Sequence, residues 1–240
     1  MTLIGAWLTQ CNGLGPLLPM AEKLGSPAQI LRLQGRINEI AALRGGEHHI
    51  ITRHGIQRSY LLSRRDAFLQ GATRLIEQLH GMDYQPMLSY GTLLGAVRNQ
   101  SFIAHDDDLD LLMLCNAQDQ AGVTREISEV AEQLRRAGYR VEILLPQSLN
   151  MHVRDEAAGV TLDLFPCWRS QPGLVSLHME KMTLRAIPES IVLPTGVVTL
   201  HGHELPAPAC PEDFLHARYG EHWRTPDPFF EWPWPLSTTP

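Results

Sequence analysis

The sequence predicts an α/β (α+β) domain built on a mixed β-sheet flanked by helices, preceded by a partly helical N-terminal extension over residues 1–62. Three observations predict it. Apolar residues recur at helical spacing in several segments. Strand-like runs alternate with those helices only loosely. After residue 138, two or three strand-like runs follow one another directly, which a doubly wound parallel sheet would not show. A chain of 240 residues fits one large domain plus an extension, and buries roughly 70% of its unfolded surface without a staple.

Taken in order, residues 1–25 carry no clear pattern. Ser26-Pro27 reads as an N-cap with proline at the first helical position, and Ile30, Leu33, Ile37 and Ile40 give an amphipathic helix over 27–43. Gly45-Gly46 ends it, and 47–62 holds a short strand or hairpin. Ser63 to His80 reads as a second helix, with Ser63 and Asp66 as a capping box. Strands are expected at 84–90, 107–114, 139–145, 149–154, 160–165 and 197–201. Helices are expected at 91–98, 119–137 and 211–219. The proline- and aromatic-rich end, from Thr225 on, reads as irregular.

Composition narrows the classes. A net charge of -6 gives no basic face for nucleic acid. Cys11, Cys115, Cys167 and Cys210 form no CxxC pair, so neither a zinc knuckle nor a disulfide framework is indicated, and reduced thiols fit a cytoplasmic protein. The N-terminus lacks a basic n-region and is interrupted by Gln10, Asn12 and glycines, so it reads as neither a signal peptide nor a membrane span.

The chemistry concentrates in YGTLLGAVRNQSFIAHDDDLDLLM, residues 90 to 113. Residues two apart on a strand share a face. Asp108 and Asp110 therefore lie together, Asp106 joins them if the strand starts early, and Leu109, Leu111 and Met113 turn toward a core. Same-face neighbours about 7 Å apart reach one divalent cation, and all-oxygen donors suit Mg²⁺ or Mn²⁺. A solvated acidic loop explains Asp106 and Asp107, but not Asp110 at the lip of an apolar run. An EF-hand fails, since Leu111 and Ala117 stand where Gly and Glu belong. The short Asp-x-Asp of sugar-nucleotide glycosyltransferases stays open.

Upstream, Tyr90-Gly91-Thr92 passes from strand to helix. A glycine there admits a phosphate, with the Thr92 hydroxyl and the helix N–H groups as donors; an ordinary turn is the alternative. Arg98 is a candidate second cation, and Lys181, after a strand-like stretch with His178, a candidate contact to phosphate. His201, His203, His216 and His222 with Cys210 allow a zinc site or a set of surface histidines. The arginines from Arg53 to Arg74 read as a solvated helix face. Trp223, Trp232 and Trp234 serve packing of the tail or stacking on a sugar.

These residues resemble the LicD family, which includes the fukutin-like proteins, within the nucleotidyltransferase fold. The resemblance rests on Tyr90 through Arg98, Phe102-Ile103 and Asp106-Asp107-Asp108-Leu109-Asp110. Leu162-Asp163-Leu164-Phe165-Pro166 looks like the family's later Asp-x-Phe-Pro strand, and Pro206 to Leu215, Tyr219-Gly220 and Thr225-Pro226 like its C-terminal segment. It spans roughly residues 64 to 228. His105 departs from the usual Trp before the aspartates, a change that bears on the donor pocket rather than the metal. The resemblance implies transfer of a phosphate-linked alcohol, phosphocholine or a polyol phosphate, from a CDP-activated donor to a glycan hydroxyl, with CMP leaving. It also implies Asp106, Asp108, Asp110 and Asp163 as metal ligands, and Asp108, Asp110 and Asp163 as catalytic residues, Asp163 as ligand or base. Transfer of NMP with pyrophosphate release, glycosyl transfer and a non-catalytic binding role are the alternatives.

Overall fold

The structure, a computed structural model, describes residues 26–52, 55–144, 149–179 and 183–227. The chain forms two compact units, one up to Ser63 and one over Arg64–Thr225.

In the first unit, helix α1 (Pro27–Leu43) is capped by the Ser26 hydroxyl, which accepts from the Gln29 N–H. Its buried stripe is Ile30, Gln34, Ile37 and Ala41. Two of its polar residues hold an antiparallel hairpin of β1 (His49–Thr52) and β2 (Gly55–Arg58). The Gln34 side chain accepts from the Ile51 N–H at 2.8 Å, and Asn38 brackets the His49 backbone at 2.7 and 2.9 Å. A single turn, α2 (Tyr60–Ser63), ends the unit.

The second unit begins with α3 (Arg65–His80). The expected capping box is not formed: the Ser63 hydroxyl donates to the Tyr60 carbonyl inside its own turn, and Asp66 pairs with Arg65. The helix thus starts at Arg65, two residues later than expected, after a turn at Arg64. The unit continues with β3 (Gln85–Leu88), α4 (Tyr90–Asn99), β4 (Asp110–Cys115), α5 (Gln120–Arg136), β5 (Arg140–Ile143) and β6 (Met151–Asp155). Next come β7 (Val160–Gln171), β8 (Leu174–His178), β9 (Leu184–Pro188), α6 (Glu189–Val192), β10 (Gly196–Leu200), β11 (His203–Ala207) and α7 (Pro211–Tyr219).

Seven strands make one mixed sheet. Its order is β3-β4-β7-β6-β5, with β8 on β7 and β9 on β8. Only the β4–β7 pair is parallel within it. Strand β7 is twice the expected length because its first half pairs with β6 and its second half with β8. β8 covers the strand-like stretch read before Lys181, and β9 falls where no strand was expected. β10 and β11 form a separate hairpin.

The core explains why the central strands show no alternation. Every residue of β4 is buried, so both faces are covered, and Asp110 belongs to a strand with no solvated side. α3 buries Phe68, Leu69, Ala72, Leu75, Ile76 and Leu79. Its Gly71 stands where a Cβ would come within 2.7 Å of Val160 on β7, so helix and sheet approach closely. Arg74 keeps about 40% of its side chain exposed, and it also meets the buried Asp155 carboxylate at 2.7 Å, tying α3 to β6. α5 is capped by Asp119 and buries Val123, Ile127, Val130, Ala131 and Leu134. No described helix is long and apolar enough to cross a membrane.

Candidate metal and phosphate centre

Two adjacent strands build the site. In the parallel register of β4 and β7, Asp110 stands beside Asp163, and the Asp163 N–H donates to the Leu109 carbonyl at 2.9 Å. The strand starts at Asp110, later than expected, so Asp106 to Leu109 approach as a loop and not as alternating strand positions. The loop still delivers its carboxylates. Asp108, Asp110 and Asp163 each bring an oxygen within 4.8 Å of the others, and Asp106, Asp107 and Asp108 do the same.

The start of α4 locks this arrangement. The Asp110 N–H donates to the Thr92 hydroxyl at 2.9 Å, and the Gly91 N–H donates to Asp110 Oδ2 at 3.1 Å. A Cβ on Gly91 would lie 2.3 Å from Asp106 Oδ2. The close approach that glycine permits here is made by a carboxylate of the chain itself. Thr92 is buried, with its hydroxyl beneath the Asp110 backbone. Tyr90 has φ 43°, a left-handed conformation that an aromatic residue adopts only when its surroundings hold it. They do: its hydroxyl donates to the His178 carbonyl at 2.6 Å, and its ring meets Phe165 edge-on at 4.9 Å.

So many carboxylates in one buried place shift their protonation. Burial, then the charge of Asp108, pushes Asp106 up to about 8. Burial, then Asp108, Asp106 and Asp163, holds Asp110 well above the usual carboxylate range, with the Gly91 N–H opposing. Burial pushes Asp163 up to about 6, against His152 and with Asp108 and Asp107. Like charges in low dielectric keep protons unless a cation replaces them. All-carboxylate donors at this spacing fit a hard divalent cation such as Mg²⁺ or Mn²⁺.

The other expected site residues scatter. Arg98 lies in the last turn of α4, partly buried, and burial lowers its pKa. Lys181 lies outside the described residues, as do Arg53, Trp232 and Trp234. Among the described residues the C-terminal histidines form no metal cluster. His201 instead accepts the Phe102 N–H on Nε2 at 3.0 Å, and pins the loop after α4. Trp223 is buried, and Arg224 stacks on its ring at 4.3 Å. His152 went unnoticed in the sequence: β6 pairs with β7 so that it lies opposite Asp163, with Nε2 3.5 Å from Oδ2. Only the alternation of Met151-His152-Val153, once that pairing is known, points to it.

A family model described as LicD/FKTN/FKRP, nucleotidyltransferase domain, matches residues 83–210. The chain belongs to the LicD family. The match covers both aspartate segments and stops short of Tyr219-Gly220, which the sequence resemblance had included. LicD membership and the mixed sheet together place the chain among nucleotidyl- and phosphotransferase-type proteins. Solved structures with a similar fold include a lincomycin-bound lincosamide antibiotic adenylyltransferase, LnuA. It is 14% identical, with a TM-score of 0.40, over 58% of this chain and 78% of that one. Another is a STING-associated CdnE c-di-GMP synthase from Capnocytophaga granulosa. It is 11% identical, with a TM-score of 0.36, over 51% of this chain and 41% of that one. No curated protein sequence matches the chain.

Proposed function

We propose that this LicD protein transfers a phosphate-linked alcohol, phosphocholine or a polyol phosphate, from a CDP-activated donor to a glycan hydroxyl. CMP is released, in the cytoplasm, during synthesis or modification of a surface polysaccharide. The observation that carries the reading is the convergence of Asp108, Asp110 and Asp163 within 4.8 Å in a family of nucleotidyltransferase type. Asp106, Asp108, Asp110 and Asp163 are the oxygen donors for Mg²⁺ or Mn²⁺. A divalent cation held there neutralises charge on the donor's diphosphate.

The remaining work belongs to side chains of the chain. The acceptor oxygen attacks the phosphorus that bears the alcohol, the bond from that phosphorus to the CMP oxygen breaks, and the acceptor's proton must leave. Asp163, within 4.8 Å of Asp108 and Asp110, is the carboxylate placed to take it where it serves as base rather than as a further ligand. His152, 3.5 Å from its Oδ2, holds that carboxylate in place. Gly91 and Thr92 orient Asp110 through its side chain and its backbone.

The test is nucleotide release with Mg²⁺ and a panel of CDP-choline, CDP-glycerol, CDP-ribitol, UDP-sugars and NTPs, each with mixed glycan acceptors. CMP from one CDP donor, lost in EDTA and in Asp108→Ala, is the expected result. Pyrophosphate from an NTP would make the protein a nucleotidyltransferase, and UDP release a glycosyltransferase.

A further inference from the structure

Beside the carboxylate centre lies a group of nitrogen donors short of acceptors. Arg218, in the last turn of α7, places its guanidinium 4.9 Å from the centre of the Tyr90 ring and 5.6 Å from that of Tyr219. Stacking on rings uses the face of a guanidinium and leaves its N–H groups in the plane. Arg218 Nε and Nη1 are buried, and among the described residues neither has a hydrogen-bond partner, although the same guanidinium also hydrogen-bonds the Tyr219 side chain. Nδ1 of His178, donor or acceptor according to the ring's tautomer, is buried without a partner too; the His178 carbonyl takes the Tyr90 hydroxyl, and its ring feels the Arg218 charge. A buried donor without an acceptor costs free energy, and a native structure that tolerates several together calls for a missing partner.

The position says what that partner is. Tyr90, under the guanidinium, directly precedes Gly91, which donates to Asp110. The Tyr219 phenol lies within the field of both Asp110 and Asp106. Arg218 and Tyr219 also line a cleft of about 710 Å³, together with Arg185 and His216. Asp213 is the one carboxylate among its described lining residues. A ligand that meets the carboxylates through a cation and Arg218 directly must be rich in acceptors and negatively charged. Phosphoryl oxygens meet both demands.

We infer that Arg218 is a phosphate-binding residue of this site and donates to the diphosphate of the nucleotide donor beside the carboxylate-bound cation. From the function proposed above it takes only the diphosphate as ligand.

The test is calorimetric binding of inorganic pyrophosphate and of CDP, with Mg²⁺, to wild type, Arg218→Gln and Arg218→Lys. Arg218→Gln is expected to bind both about tenfold or more weakly, from loss of a charge-assisted hydrogen bond. Arg218→Lys loses less, since it keeps the charge without the planar fork. Melting temperature and Mn²⁺ binding stay at wild-type values, which a merely structural arginine would not allow. Should Arg218→Gln fail to fold, Arg218→Lys decides the matter alone. Wild-type affinity in the variants, or no binding of either ligand by wild type, overturns the inference. If CMP is released from a CDP donor while Arg218→Gln keeps wild-type KM, the inference falls and the proposed function stands. If pyrophosphate binding depends on Arg218 but no CDP donor is turned over, the phosphate site stands and the CDP reading falls.

Discussion

Two regions of this chain carry residues of the types that can ligate metals, and the fold treats them differently. Where β4 meets β7, Asp108, Asp110 and Asp163 converge within 4.8 Å of one another. At the turn of the β10–β11 hairpin, His201 gives its Nε2 to the Phe102 N–H and packs its ring 4.9 Å from Phe102. In the first region the carboxylates crowd one another, and the Gly91 N–H on Asp110 and His152 beside Asp163 offset only part of their repulsion. In the second the donor atom is satisfied within the protein. A cluster of ligand-type residues becomes a site when the fold withholds partners from it, and a structural tie when it supplies them.

The contrast can be broken most sharply at Asp110. Asp110→Asn should lower nucleotide release by about 10³-fold or more, the loss expected when charge stabilisation worth several kcal/mol is removed. The same change should flatten the pH dependence of the metal-free melting temperature, because it removes one of the crowded groups whose protonation folding favours. Thermal melts across pH sharpen the point. Folding raises Asp106 from 3.8 to about 8 and Asp163 from 3.8 to about 6. The folded state therefore holds protons that the unfolded chain has released. The stability these protonated groups contribute is complete below 3.8 and is lost as pH rises through about 6 and about 8. The metal-free melting temperature should fall over that range, and Mg²⁺ should stop the fall. A flat profile without metal would show that the carboxylates are not in conflict.

Next in size is Gly91→Ala. Its Cβ would lie 2.3 Å from Asp106 Oδ2, so the carboxylate must move. Displacement by about 1 Å costs on the order of 10²-fold in rate, and turnover should drop accordingly with the fold retained by circular dichroism. Smallest is His201→Ala. It should cost about 1–2 kcal/mol in urea denaturation by stranding the Phe102 N–H. Metal-dependent turnover should stay unchanged; zinc bound by the wild type and lost in the variant would contradict the structural role.

What the sequence revealed follows the same division. Helices with long periodic stripes, at 27–43 and 119–137, emerge close to their expected limits, since local spacing decides them. The capping box at Ser63 failed because its hydroxyl found a nearer carbonyl. β9 was missed: it is short, lies at the edge of the sheet, and forms only because β7 extends far enough to pair with β8, and β8 with it. In the site, Asp106 to Asp110 declare themselves as a run, and Asp163 through its family-like strand. His152 and Arg218 have no such signal. The first arrives through antiparallel pairing of β6 with β7, the second through α7 packing against α4, and neither relation is written in nearby residues.

The most direct test of the account is Mn²⁺ binding followed by electron paramagnetic resonance, with and without CDP, in wild type and Asp110→Asn. The account predicts bound Mn²⁺ in the wild type, strengthened by CDP and lost in the variant. Failure of the wild type to bind Mn²⁺ under either condition, or equal binding by the variant, would contradict it.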